Sequence, residues 1–137
     1  MPYQNIMTID EFAKILPRVW TPRSDMEMHE IFVADDPATG QCAVTALLVQ
    51  DFFGGEILNT TASLPKRPEL TSSHYVNLID SKEIDLTRQQ FVKGVIFSKP
   101  EPKLNGFSST REYILSVTST AERYEQLKDN TERILAI

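Results

Sequence analysis

The sequence contains few of the residues that cross-link small proteins. Among its 137 residues are one cysteine, Cys42, and two histidines, His29 and His74. A single cysteine cannot form an internal disulfide, and one Cys with two His in no paired-ligand spacing argues against a structural zinc site. We therefore expect a free Cys42 thiol, no metal and no cofactor.

The chain also lacks an excess of basic residues and a long apolar segment. Its net charge is −5, with 14 Lys and Arg scattered among 19 Asp and Glu, so no basic stripe is offered to phosphates. No window reaches the roughly 18 consecutive apolar residues of a membrane span, and residues 1–10 do not resemble a signal peptide. These absences predict a cytoplasmic protein that binds neither nucleic acid nor membranes.

What the chain does contain is an ordinary globular composition. Hydrophobic residues make up 41% of it and charged residues 24%, which is typical of a folded domain of this length. A chain of this size can bury a core without disulfides or metals. We find no internal repeats, and we expect one α+β domain over residues 1–137.

Helical signals begin near the N-terminus and are strongest in the middle of the chain. Thr8 and Glu11 can form a capping box, and the apolar spacing after it predicts a helix that ends near Pro17. Residues 41–53 are apolar on nearly every side, which predicts a helix buried inside the domain. The glycine pair that follows should end this central helix.

A loop and two further helices are also predicted. Residues 21–39 are polar and contain prolines, which indicates a long loop. Near the C-terminus, Ser109 and Glu112 can form one capping box, and Ser119 and Glu122 a second that starts the last helix.

The strands are predicted to follow the central helix. Residues 56–59 indicate a strand that enters a loop over 60–71, and residues 72–79 alternate as a second strand. A two-residue turn at Asp80-Ser81 would return the chain as a third strand over 83–87. In that register Val76 lies opposite Asp85 and His74 lies one diagonal step away, about 7 Å between backbone positions.

These elements bring three chemically competent residues into one order: Cys42, His74 and Asp85. Cys42 stands in the first turn of the central helix, where unpaired N–H groups and the helix dipole stabilise a thiolate. His74 could hold the thiol proton and return it to a leaving group, while Asp85 orients the ring. The Cys42 backbone N–H, with the Gln41 amide as a second donor, could stabilise an oxyanion.

Each of these residues also has a structural interpretation. A lone cysteine on an apolar helix is usually a small core residue, His74 could be a hydrogen-bonded core residue, and Asp85 could terminate a hairpin. Trp20, Tyr75 and Asn77 could line a pocket, although packing is the commoner use of such residues.

Two motifs resemble the bacterial YunG-like family. They are Gly40-Gln41-Cys42-Ala43-Val44-Thr45-Ala46 with Gly54-Gly55-Glu56-Ile57-Leu58, and His74-Tyr75-Val76-Asn77 with Ile84-Asp85-Leu86-Thr87. That family is distantly similar to papain-like and transglutaminase-like thiol enzymes. The resemblance implies the same three catalytic residues, and a central helix packed on a small antiparallel sheet between N- and C-terminal helices.

The sequence therefore predicts a thiol-dependent hydrolase or acyl transferase acting on an amide or ester of a small molecule or peptide. Papain-like enzymes carry a glutamine six residues before the cysteine and usually an aromatic residue after it, whereas this chain has Asp36 and Ala43. These departures keep open a non-catalytic binding protein of the same fold. A toxin-related effector or immunity protein is a third possibility.

Overall fold

The computed structural model describes residues 7–136, and its first element is helix α1, Ile9–Val19. The predicted capping box is confirmed, since the Glu11 N–H donates to Thr8 Oγ1 (3.1 Å) and the Thr8 N–H donates to Glu11 Oε1 (2.9 Å). The helix ends at Val19, two residues beyond Pro17, near which the sequence predicts its end. A proline in the last turn removes one backbone N–H, and buried Leu16 and Val19 hold that turn against the core.

The central helix, α2, spans Cys42–Phe53 and is buried as predicted. It stops at Gly54 and Gly55, which adopt φ values of 75° and 78°. A Cβ on Gly55 would lie 2.2 Å from the Leu78 carbonyl oxygen. Glycine is therefore required at residue 55 both by the backbone angle and by the closeness of the Leu78 carbonyl oxygen.

Residues 7–136 contain four strands: β1 (Glu56–Leu64), β2 (Arg67–Ile79), β3 (Lys82–Ile84) and β4 (Ile96–Phe97). They form one antiparallel sheet in the order β3-β2-β1-β4.

The prediction of a loop over 60–71 is wrong, because β1 continues to Leu64 and β2 begins at Arg67. Residues 60–63 pair with residues 71–74 across the hairpin. A polar stretch of Thr and Ser is compatible with a strand when a partner strand satisfies its backbone. Local sequence did not reveal that pairing.

The turn between β2 and β3 has the predicted length of two residues. Asp80 and Ser81 adopt φ values of 50° and 65°, the left-handed angles of a tight hairpin turn. Ile79 pairs with Lys82 and Asn77 with Ile84, which confirms the predicted register. The third strand is shorter than predicted, since it ends at Ile84 instead of continuing to residue 87.

Two helices complete the fold: α3 (Thr110–Leu115) and α4 (Thr118–Leu135). Ser109 caps α3 as predicted, but the Glu112 carboxylate accepts from the Ser108 N–H (3.0 Å) and hydroxyl instead of completing the box. The capping box predicted at Ser119 is wrong, because α4 begins at Thr118 with no side-chain cap.

The two faces of the sheet pack against different parts of the chain. Helix α2 packs on one face together with α1, α3 and α4, and Ile57 and Ile79 belong to that main core. On the other face, a smaller cluster forms beneath the 21–39 loop and consists of Ile31, Phe32, Ala62 and Phe91. No helix within residues 7–136 is long and apolar enough to cross a membrane.

Candidate active site

His74 and Asp85 form the centre of the site. The His74 Nε2 atom lies 2.7 Å from Asp85 Oδ2, which is a hydrogen bond of charge-assisted length. The His74 side chain is 0% exposed and that of Asp85 is 9% exposed. The hairpin register therefore brings these two residues into the contact that the sequence predicts.

The Asp85 carboxylate is fixed by residues that follow it. The Thr87 N–H donates to Oδ1 (3.2 Å) and Arg88 Nε donates to Oδ2 (2.8 Å). Burial by itself would raise the pKa of Asp85, but the bonds from His74 and Arg88 hold that pKa below its ordinary value. Asp85 therefore stays ionised beside the imidazole.

The His74 ring lies among aromatic side chains. The Phe91 ring meets it edge to face at 4.9 Å between centroids, and the Phe97 ring lies 5.6 Å away. Burial by itself would lower the pKa of His74, but interactions with Asp85 and Cys42 raise it to about 9. The imidazolium is therefore the favoured form at neutral pH.

Cys42 is the first residue of α2, and its thiol is free. Burial by itself would raise the pKa of Cys42, but interactions with the His74 ring and the Tyr75 backbone N–H outweigh it and hold the pKa below its ordinary value. The helix dipole also stabilises an anion at this position. The Gln41 side chain does not cap the first turn of α2, so it does not use the N–H groups there.

The two sides of the imidazole differ. His74 Nε2 is bonded to Asp85, whereas Nδ1 is buried and has no hydrogen bond at standard geometry among the described residues. Nδ1 is thus the ring nitrogen left to interact with the Cys42 thiol. The imidazole lowers the pKa of Cys42, and Cys42 raises that of His74.

The Tyr75 N–H is available because of how the sheet is paired. Asn59, the partner of Tyr75 in β1, exchanges both of its backbone hydrogen bonds with Glu101 (2.7 and 2.9 Å). In an antiparallel ladder, Tyr75 must then point its N–H away from β1. On that side β3 has already ended at Ile84, so the N–H is free to face Cys42.

The Gln41 amide is engaged within the fold. Gln41 is 3% exposed, and its Nε2 donates to the Thr21 carbonyl oxygen (2.7 Å). One of its two N–H groups is therefore already used. Its role as a second oxyanion donor stays a prediction.

The three residues suggested as pocket walls make different contacts. Trp20 Nε1 donates to Thr45 Oγ1 (2.8 Å), and Trp20 also lines a groove of about 510 Å³. Asn77 connects the sheet to α2, because its Nδ2 donates a hydrogen bond to the Ala46 carbonyl oxygen (2.9 Å). Tyr75 is half-buried against the main core, and burial raises its pKa to about 12. Their pocket roles stay predictions.

Sequence reasoning missed the residues that hold the site from a distance. Arg88 holds the acid, Gln90 Oε1 accepts from the Gly40 N–H (3.1 Å), and Arg123 Nη2 donates to the Gly40 carbonyl oxygen (2.8 Å). Arg88 lies three residues after Asp85, so its contact could have been anticipated from spacing. The other two contacts join residues 50 and 83 positions apart, and no local signal predicts them.

No group of three or more His, Cys, Asp or Glu side chains between residues 7 and 136 is arranged to hold a metal ion.

Fold and site together define a class of protein: an α+β fold in which a helix-borne cysteine lies near a histidine of an antiparallel sheet and an aspartate that follows the next strand. Residues 8–136 match the family described as YunG protein. The chain is 30% identical over 120 residues to the uncharacterized protein YunG of Bacillus subtilis (strain 168), with 87% of each chain covered. The protein therefore belongs to the YunG family.

No solved structure matches this chain. The predicted relation to papain-like and transglutaminase-like enzymes gains no support from these matches.

Proposed function

We propose that the protein is a thiol-dependent hydrolase or acyl transferase that acts on an amide or ester through Cys42, His74 and Asp85. The observation that carries the proposal is the buried 2.7 Å contact between His74 and Asp85 next to a thiol whose pKa is lowered. Perturbed titratable groups that act on one another in this way are typical of active sites.

In the first half of the reaction, the Cys42 thiolate attacks the carbonyl carbon of the substrate and forms a C–S bond. The carbonyl electrons move to oxygen, and the Tyr75 and Cys42 backbone N–H groups are the candidate donors to that oxyanion. The carbonyl then re-forms, and the bond to the leaving nitrogen or oxygen breaks. The leaving atom takes its electron pair and accepts the proton from the His74 imidazolium.

In the second half, water or an amine attacks the resulting thioester and gives a proton to His74. The C–S bond breaks, the thiolate returns to Cys42, and the imidazolium is restored. Asp85 stays ionised throughout and holds the ring through Nε2. Hydrolysis and acyl transfer differ only in which nucleophile enters at this step.

The related fold is part of the same proposal. A cysteine that begins a buried helix, followed by a His on one strand and an Asp just after the next strand, has the order of residues seen in papain-like and transglutaminase-like enzymes. A cytoplasmic location is likewise proposed, because a reducing compartment would keep the single thiol free.

The reactivity of Cys42 tests the proposal directly. Iodoacetamide should alkylate Cys42 with a pH midpoint below the value of about 8.5 for an unperturbed thiol, as measured by intact mass between pH 5 and 9. Because the chain has one cysteine, each added mass reports this site, and glutathione gives the reference rate. A midpoint equal to that of glutathione would contradict a stabilised thiolate.

Acylation tests the chemistry itself. Activated esters such as p-nitrophenyl acetate should leave an acyl group on Cys42 that hydroxylamine removes, whereas the Cys42→Ser variant should form no thioester. Asp85→Asn should acylate more slowly with unchanged folding by circular dichroism. Wild-type protein with a low thiol pKa that forms no adduct with any of several esters would count against an acyl enzyme.

A non-catalytic binding protein is the second candidate. Two observations favour it. The His74 Nδ1 atom has no hydrogen bond among the described residues. Asp36 and Ala43 stand where papain-like enzymes carry a glutamine and usually an aromatic residue. In this case the Cys42→Ser variant would still bind the ligand and support the wild-type phenotype of the cell. The enzyme proposal predicts instead that this variant loses both turnover and phenotype.

A further inference from the structure

Arg123 is an arginine near the thiol that forms no close ion pair within the described residues. It lies partly buried on α4, where its charge interacts with those of Arg23 and Asp25 and with that of Cys42. Its Nη2 atom donates to the Gly40 carbonyl oxygen, two residues before Cys42. Among residues 7–136, no carboxylate oxygen lies within 4.0 Å of its guanidinium nitrogens.

Arg111, another partly buried arginine, has a structural role, because its guanidinium is bonded within the fold. Its guanidinium pairs with Asp51 (3.0 Å) and donates to Gln50 Oε1 (3.0 Å) and to the Tyr124 hydroxyl (3.0 Å). Arg123 uses one of its five N–H groups within the described chain. Its remaining N–H groups are therefore available to donate to a ligand.

Arg123 also lines a cavity. This cavity has a volume of about 90 Å³ and is lined by Thr21, Pro22, Gln41, Arg123, Gln126 and Leu127. Gln41 is the residue directly before Cys42, so the cavity adjoins the start of the nucleophile helix. The volume is far below the ~300 Å³ of pockets for drug-sized ligands, and it suits a carboxylate with a short carbon stem.

Resting on the function proposed above, we propose that Arg123 binds a carboxylate of the substrate in this cavity, so that Cys42 acts on an amide or ester that carries a carboxylate close to the scissile bond. The planar guanidinium can hold a carboxylate through two parallel hydrogen bonds. The bond to Gly40 keeps the guanidinium beside the helix that carries the nucleophile.

Two alkylating reagents that differ only in charge test this assignment. Iodoacetate carries a carboxylate and iodoacetamide a neutral amide, and both transfer their carbon to the thiolate with loss of iodide. The measured quantity is the ratio of their rate constants with Cys42 at pH 9. The wild-type ratio should exceed that of glutathione, and Arg123→Gln should lower it by about tenfold, as expected for one charge-assisted contact.

Matched variants distinguish the effect of the Arg123 guanidinium from the effect of removing any positive charge. Arg133 lies on the same helix, but it is 74% exposed and lies 3.9 Å from Asp129, so Arg133→Gln should leave the ratio within about twofold of wild type. Arg123→Lys keeps the charge and should keep part of the preference. If Arg123→Gln fails to fold, the Lys variant and competition by acetate, with acetamide as the neutral match, give the same answer on folded protein.

The outcomes also distinguish this inference from the proposed function. A normal iodoacetamide pH midpoint refutes the stabilised thiolate, whereas the charge ratio at pH 9 still reports the carboxylate site. A ratio that equals that of glutathione, or that Arg123→Gln and Arg123→Lys leave unchanged, overturns the carboxylate site while Cys42 reactivity stands.

Discussion

The Asp85→Asn substitution removes one charge at the centre of the site and leaves the side-chain shape almost unchanged. Asp85 Oδ2 lies 2.7 Å from His74 Nε2, and the His74 side chain is 0% exposed. Because water does not screen this contact, the loss of the carboxylate charge should act strongly on the imidazolium. We expect the pKa of His74 to fall in this variant.

The size of the effect follows from the raised pKa. A pKa of about 9 instead of 6.5 for His74 favours the imidazolium by about 3 kcal/mol, at about 1.4 kcal/mol per pKa unit. Cys42 supplies part of this stabilisation, and the bond to Asp85 is the largest favourable interaction. Asp85→Asn should therefore lower the pKa of His74 by at least about one unit. The imidazolium would then be half deprotonated at a proton concentration at least about tenfold higher than in the wild type.

The same change has a defined sign for stability. A histidine whose pKa is raised by folding stabilises the protein below its ordinary pKa of 6.5, and this contribution is lost as the pH rises through about 9. The difference in unfolding free energy between wild type and Asp85→Asn should thus be largest below pH 6.5 and should shrink toward pH 9. Urea denaturation at several pH values measures it.

Nuclear magnetic resonance titration of the imidazole rings reports the pKa directly. The chain has two histidines, so His29 serves as an internal reference and His29→Gln assigns the signals. Glu83→Gln is the matched control, because Glu83 belongs to the same hairpin and lies 3.5 Å from Arg88 without touching His74. If the His74 pKa in Asp85→Asn stays within half a unit of wild type, the electrostatic account of the site is wrong.

Three further predictions concern the support of the site. Gly55→Ala should destabilise the protein by more than about 3 kcal/mol, because its Cβ would meet the Leu78 carbonyl oxygen at 2.2 Å, whereas Gly54→Ala meets no atom within 4 Å and should cost about 1–2 kcal/mol in urea denaturation. Trp20→Phe should cost about 1 kcal/mol beyond its lost packing, since Thr45 loses its donor, and a double-mutant cycle with Thr45→Val should show coupling. Arg88→Met should not lower the His74 pKa, because it removes a positive charge 2.8 Å from the carboxylate oxygen that His74 contacts, and a fall in that pKa would show that the orientation of the carboxylate matters more than the nearby charge.

Features that depend on neighbouring residues were predictable from the sequence. The capping box at Thr8, the buried helix α2 and the two-residue turn at Asp80-Ser81 all follow from hydrogen bonds and periodicity within a few positions. The turn fixes the register of β2 against β3, and this register predicts the His74–Asp85 contact.

Features that depend on pairing partners were not predictable. Residues 60–64 carry no strong strand signal, and they form a strand because β2 supplies partners for their backbone. The capping pattern at Ser119 satisfies the sequence rule, yet Thr118 already belongs to the helix. In both cases tertiary contacts outweighed a weak local preference.

The sequence by itself determined which residues can do chemistry: one thiol at the start of an apolar helix, and a histidine and an aspartate joined by a short turn. The tertiary structure decided what surrounds them. It left the Tyr75 N–H free by ending β3 at Ile84, and it brought Arg123 to Gly40 across 83 positions. Such contacts arise when distant elements pack together, and no pattern of neighbouring residues encodes the distance between them.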